Sequence, residues 1–209
     1  MTESFLINIV IAVLFLPLIG FIFTILSGNK LKNAYIFEIV ILSITFLLSV
    51  FVMYIKLADL GTKDVLFSFS WINFGKVPGW GELNINLGIK LDNITVIMAF
   101  VVTLISLLVH IFSIEYMKGD KRYNRYFAYL GIFTFSMLGI VFTDNILGMY
   151  IFWELVGLSS YLLIGFWFEK KSAADAGKKA FIVNRIGDIG MFTGILILFF
   201  TYHTFNFND

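Results

Sequence analysis

A chain of 209 residues that is 59% hydrophobic and 14% charged, with mean hydropathy +0.91, is far more apolar than a globular domain and reads as an integral membrane protein. Its net charge of +1 is spread in short basic clusters between apolar runs and offers no electrostatic footprint for nucleic acid. With no cysteine the chain cannot itself supply disulfides, thiolate-held zinc or cysteine-ligated iron–sulfur clusters, and His110 and His203 are too widely separated for a haem pair on one helix.

In chain order, six runs are long enough at about 1.5 Å per residue to cross about 30 Å of hydrocarbon: 5–26, 34–55, 94–114, 126–142, 146–168 and 180–202. The fourth is short and is expected to extend into its flanks. Lipid leaves helices as the only way for such runs to satisfy their backbones, so the fold class is an all-α polytopic membrane protein. The first run has no Lys or Arg before it and no small-residue cleavage site, which reads as a spanning helix after a true start at Met1. Glu38 lies near one end of the second run, where a snorkelling interfacial carboxylate is expected.

Between the second and third runs the period changes. Phe67, Phe69 and Trp71 alternate with serines; Leu83, Ile85, Leu87, Ile89 and Leu91 alternate with polar residues or glycine; residues 77–81 (VPGWG) supply turn chemistry. This predicts a β-hairpin at about 65–91 whose apolar face needs cover from helix ends, headgroups or a neighbouring subunit. Lys30 and Lys32 fall in the first loop, Lys118, Lys121, Arg122 and Arg125 around the third, and Lys170, Lys171, Lys178 and Lys179 in the fifth, while the short fourth loop at Asp144 and Asn145 has no basic residue. The odd loops are therefore expected on the inner side, with hairpin and both ends outside. For Asp144 and Asn145, capping and turn formation suffice.

Ionised groups inside the last two runs are the candidate chemistry, because a charge near the bilayer centre costs about 2.5–3.5 kcal/mol on insertion scales. Glu154 lies about 4.5 Å outward of its helix midpoint, Asp188 a similar distance inward, and Arg185 about 9 Å inward, by helical rise. Lys178 and Lys179 follow at the inner mouth. The short loop makes the two helices antiparallel neighbours, so these groups form a ladder through half the membrane. Arg185 and Asp188, at i and i+3, can neutralise each other. Glu154 has no base in its own helix or in the outer half of the next and reads as an unpaired acid, on which desolvation and any nearby cation act in opposite directions. Such a group suits proton transfer. His110, near the inner end of the third helix, is a packing residue or an access relay, and Trp153 either walls off Glu154 or faces lipid.

The stretch YIFWELVGLSSYLLIGFWF (150–168), followed by KAFIVNRIGD (179–188), closely resembles the antiporter-like subunit L (chain 5) of respiratory complex I, the proton-pumping NADH:quinone oxidoreductase. Leu91 with Asp92, His110 with SIEYM (113–117), and RYFAY (125–129) extend the resemblance over nearly the whole chain. The resemblance implies a proton-translocating subunit partnered by other membrane subunits of the complex and by the bilayer. Flavin, iron–sulfur clusters and quinone chemistry would then reside in those partners, with no cofactor or metal here. In that family the glutamate matching Glu154 partners a lysine on the following, seventh helix and changes its proton affinity, and the positions matching Arg185 and Asp188 are associated with the inner access route; together with the ladder this sets proton translocation at Glu154, Asp188 and Arg185, with inner access expected around Lys178, Lys179 and His110. The resemblance divides the chain into residues 1–125, three helices with the outer hairpin, and 126–209, the first three helices of an incomplete antiporter-like bundle. The family's partner lysine, broken helix and second inverted repeat would follow Asp209, so an N-terminal portion is expected, in a bacterial inner membrane with the N-terminus outside. The alternative is the large subunit of a multisubunit sodium/proton antiporter, against which NRIGD (184–188) weighs.

Overall fold

The computed structural model describes residues 3–28, 31, 33–60, 63–77 and 81–207. Six helices result: α1 (Glu3–Ser27), α2 (Ala34–Ile55), α3 (Asn93–Tyr116), α4 (Tyr123–Phe142), α5 (Ile146–Ile164) and α6 (Lys171–Tyr202), each long and apolar enough to span a membrane. After α2 the chain widens into a π-helical turn, Lys56–Leu60, where the buried Lys56 ammonium donates to the Lys63 carbonyl at 2.7 Å and to Asn93 Oδ1 at 3.1 Å. Strands β1 (Val65–Val77) and β2 (Gly81–Leu91) form the antiparallel hairpin.

Two predicted boundaries move, each for a local reason. The fifth helix stops at Ile164 rather than 168, because the chain turns at Gly165. The sixth begins at Lys171 rather than 180: the segment expected as loop, KSAADAGKK, is rich in the helix formers Ala and Lys and simply extends the helix beyond its apolar stretch. The fourth does extend into its flank, to Tyr123.

The hairpin pairs Val65 with Leu91, Phe67 with Ile89 and Phe69 with Leu87, as the alternation requires. A register shift between Ser70 and Ile72 then sets Ile72 opposite Ile85, so Ile72 takes the apolar-face place expected for Trp71. Val65, Ile89 and Leu91 at the root are buried with Leu6, Val10, Val96 and Leu138 in the main core, whereas Phe69 is 53% exposed. Cover from the helices is therefore seen at the root. Residues 78–80 of the expected turn and Lys30 and Lys32 lie outside the described residues.

Loop contacts sort the ends of the helices into two sides. On one side, the Asp144 N–H donates to the Gly88 carbonyl, Asn145 Nδ2 donates to the Asn86 carbonyl at 2.9 Å, the Ile146 N–H reaches the Phe205 carbonyl at 2.9 Å, and Lys63 pairs with Glu3. On the other, Asn124 Nδ2 donates to the carbonyls of Gly28 and Leu31, Arg122 pairs with Glu169 at 2.7 Å, and Trp167 donates to Asp120 at 2.8 Å. The loops rich in Lys and Arg thus share one side, opposite the hairpin. On that basic side α5 and α6 come so close that a methyl on Gly177 would lie 3.2 Å from the Gly165 Cα.

Candidate functional site

Antiparallel pairing of α5 and α6 sets the depth of each functional group. Tyr161 packs against Phe181 at 5.4 Å between ring centroids, Tyr150 against Phe192 at 5.3 Å, both pairs tilted, and Gly157 between them faces Asn184 and Arg185. Glu154 is thereby level with Asp188, and Arg185 lies one helical turn toward the basic side. Its long side chain closes the gap.

The result is a compact triad and not the extended ladder expected. The Arg185 Nη1 donates to Glu154 Oε2 in a direct ion pair, and Arg185 Nε lies 3.7 Å from Asp188 Oδ2. Glu154 is therefore paired, contrary to the expectation of an unpaired acid: counting bases by helical rise ignored the reach of an arginine side chain from the facing helix. The i, i+3 pairing of Arg185 with Asp188 is present as the looser of the two contacts. Trp153 is half exposed on the surface of α5, while its indole N–H turns to the triad and donates to Asp188 Oδ1 at 3.1 Å. Side-chain exposure falls from 35% for Arg185 through 21% for Glu154 to 6% for Asp188, so the acid on α6 is the most sheltered member. Phe181 lies under the guanidinium at 4.9 Å, a cation–π contact that holds Arg185 without adding negative charge.

The other predicted residues stand apart from this cluster. Lys178 and Lys179 are exposed on the first turns of α6, seven and six residues from Arg185, within the helix and not in a loop. His110 is fully buried on α3, its Nδ1 2.7 Å from the Ser106 carbonyl and its ring against Phe127 of α4. Among the described residues, no group of three or more His, Asp or Glu side chains could hold a metal ion.

Glu38 overturns its expectation. The side chain does not snorkel to the headgroups but is wholly buried between α1, α2 and α4, where Thr24 donates to Oε2 at 3.1 Å. Its depth was read correctly and its direction was not. The signal was in α1: Gly20 and Thr24, four residues apart, give that helix one small and polar stripe on which a carboxyl can rest.

Comparison with known proteins places this geometry in context. A family model for the N-terminus of chain 5 of NADH-ubiquinone oxidoreductase (complex I) matches residues 77–127, and one for the transmembrane region of NADH:quinone oxidoreductase and Mrp antiporters matches 143–209; together they cover more than half of the chain. The NAD(P)H-quinone oxidoreductase subunit 5 of the Paulinella chromatophora organellar chromatophore is 41% identical over 200 residues, 92% of this chain and 29% of its own length. The NADH-ubiquinone oxidoreductase chain 5 of Dictyostelium citrinum is 40% identical over 93% of this chain and 28% of its own length. The chain thus spans less than a third of the length of these relatives. One chain of the archaeal membrane-bound sulfane sulfur reductase, a respiratory membrane complex, superposes with a TM-score of 0.76 over 98% of this chain and 39% of its own; at 17% identity that likeness speaks to the fold alone.

Proposed function

The chain belongs to the family of antiporter-like subunit L (chain 5) of NADH:quinone oxidoreductase, matching its N-terminal portion, and on that premise we propose that it moves protons through the Glu154–Arg185–Asp188 triad. The observation that carries this reading is the meeting of two carboxylates and one guanidinium inside membrane-spanning helices. Two acids against one base leave one negative charge in excess, and in a medium of low dielectric a single proton is the simplest way to balance it. Arg185 already touches both acids. When the guanidinium leans toward Asp188, Glu154 loses its counter-charge and takes up a proton; when it returns, the proton is released. The guanidinium swing is therefore the step that changes proton affinity, and the Phe181 ring beneath it keeps the cation within reach of both acids.

Lys178, Lys179 and His110 lie toward the basic side and suit an access route to the triad from there. In this reading flavin, iron–sulfur clusters and quinone reduction belong to partner subunits of the complex. Those partners drive the arginine swing through displacement of helices around α5 and α6. The host membrane is a bacterial inner membrane with the basic loops inside and the N-terminus outside. Both the chain 5 model over residues 77–127 and the names of the relatives favour coupling to quinone chemistry over free sodium/proton exchange.

The test is Glu154→Gln in the complete complex, reconstituted in vesicles. The amide keeps shape and one acceptor oxygen but removes the excess charge, so assembly should persist while protons translocated per quinone reduced fall. Unchanged translocation would overturn the proposal.

A further inference from the structure

Among the described residues, the most deeply buried acid plays no part in the triad. Glu38, the fifth residue of α2, is 0% exposed and sits in a seat built by three helices. A methyl on Gly20 of α1 would lie 2.6 Å from Glu38 Oε2, and one on Gly131 of α4 would fall on Oε1 and 3.3 Å from the Pro17 carbonyl. Two neighbouring helices thus carry glycine where the carboxyl group rests, so the seat is shaped to the carboxyl. Oε2 is bonded by the Thr24 hydroxyl, while Oε1 is sealed from solvent with no hydrogen-bond partner. The groups that face it from α1 are Pro17, Gly20 and Thr24, and from α4 Gly131; none titrates. Among the described residues no Lys, Arg or His lies within ion-pair distance of it, the ion pairs of Arg122 and Lys118 being with Glu169 and Glu115.

A cavity of about 220 Å³ adjoins the seat from the basic side, lined by Thr24, Ile25, Gly28, Arg122 and Arg125. Thr24 is itself buried and closes the floor, so one residue separates the cavity from the carboxyl. A hydroxyl both donates and accepts, which is what a single-step proton relay requires.

We propose that Glu38 is a second proton-binding carboxyl, separate from the triad and exchanging with the aqueous phase of the basic side through Thr24. On uptake, the Thr24 hydroxyl proton passes to Glu38 Oε2 as the Thr24 oxygen accepts one from a hydronium ion in the cavity, which is left as neutral water; on release the sequence runs backward. One O–H bond forms on the carboxylate and one breaks on the hydronium ion, and threonine is unchanged. The unpartnered Oε1 beside Gly131 is where the neutral acid is accommodated without a counter-ion. This assignment stands on the geometry around α1, α2 and α4 and does not depend on the role given to Glu154.

The experiment is infrared difference spectroscopy on the intact complex across a pH step, in ordinary and heavy water, for wild type, Glu38→Gln, Thr24→Val and Glu154→Gln. The expected result is a protonated-carboxyl C=O stretch that changes with pH, vanishes in Glu38→Gln and persists in Glu154→Gln. In Thr24→Val the deuterium shift of that band should slow at least about tenfold, since the valine keeps the volume and removes the relay. Should Glu38→Gln fail to assemble, the Thr24→Val rate decides alone. A band insensitive to pH, exchange unaffected by Thr24→Val, or a band displaced by sodium at constant pH would each overturn the assignment. Loss of the band in Glu154→Gln would overturn only its independence from the triad.

Discussion

Asn145 holds three parts of the fold at one point, and its removal has a calculable effect. The residue is fully buried; Oδ1 accepts the Gly148 N–H at 2.6 Å and caps α5, while Nδ2 donates to the Asn86 carbonyl of β2 at 2.9 Å and to Asp144 at 2.8 Å. Asn145→Ala removes all three bonds. Loss of the cap costs about 1 kcal/mol. Stranding the Asn86 and Asp144 oxygens in a buried site adds about 1–2 kcal/mol. At about 1.4 kcal/mol per tenfold, the combined loss of about 2–3 kcal/mol makes local opening about 30–150-fold more frequent. Hydrogen–deuterium exchange on the assembled complex should show this in residues 85–91 and in the first turn of α5. Asn145→Asp separates the two terms: it keeps the capping oxygen and loses the donor, so the α5 turn should stay protected while the hairpin root opens. Unchanged exchange in the alanine variant, or equal loosening of both segments in the aspartate variant, would refute the reasoning.

Asp188→Asn should leave the complex assembled, because Arg185 keeps Glu154 as its partner, while translocation falls since the triad is then already neutral; blue-native electrophoresis alongside vesicle acidification checks both, and a failure to assemble would show Asp188 to be the obligatory counter-ion. On the basic side, burial works against the charge of Asp120, but the Trp167 indole, the Arg122 N–H and the Arg122 charge outweigh it and hold the carboxyl below its ordinary value of 3.8. A group lowered in the folded state stabilises fully above its unfolded value and ceases to do so as pH falls through the lowered folded one, so the Asp120–Trp167 contact should hold at neutral pH and open only below about pH 4. Tryptophan fluorescence titrated with acid should show that step in wild type and not in Asp120→Asn; identical curves would count against it.

What the sequence made legible follows from the range of each signal. Helical spans are written in runs of some twenty apolar residues, and the hairpin in its alternation, so both were readable without tertiary information. The start of α6 was not, because KSAADAGKK is polar enough to suggest a loop and helical enough to be none. The contrast between Glu154 and Glu38 is more instructive. Both are acids inside apolar runs, and their depth could be counted residue by residue; their partners could not. Arg185 meets Glu154 through the reach of its own side chain across the α5–α6 contact, and Glu38 turns inward because Gly20 and Gly131 leave it a hollow. In each case the deciding residues lie on other helices, and their effect exists only once the helices are packed.

The two ends of the α5–α6 pair are fastened differently from its middle. At the basic end Gly165 and Gly177 bring backbone against backbone, and at the far end the Ile146 N–H and Asn145 join the segment after α6 through Phe205 and Asn206. A rod anchored at both tips cannot slide along its neighbour; it can only bow or roll. Whatever mechanical signal reaches this pair is therefore concentrated at mid-span, where a slight rotation of α6 sweeps the tip of a long side chain through several ångströms. The anchors act as the fixed ends of a lever whose free point is Arg185.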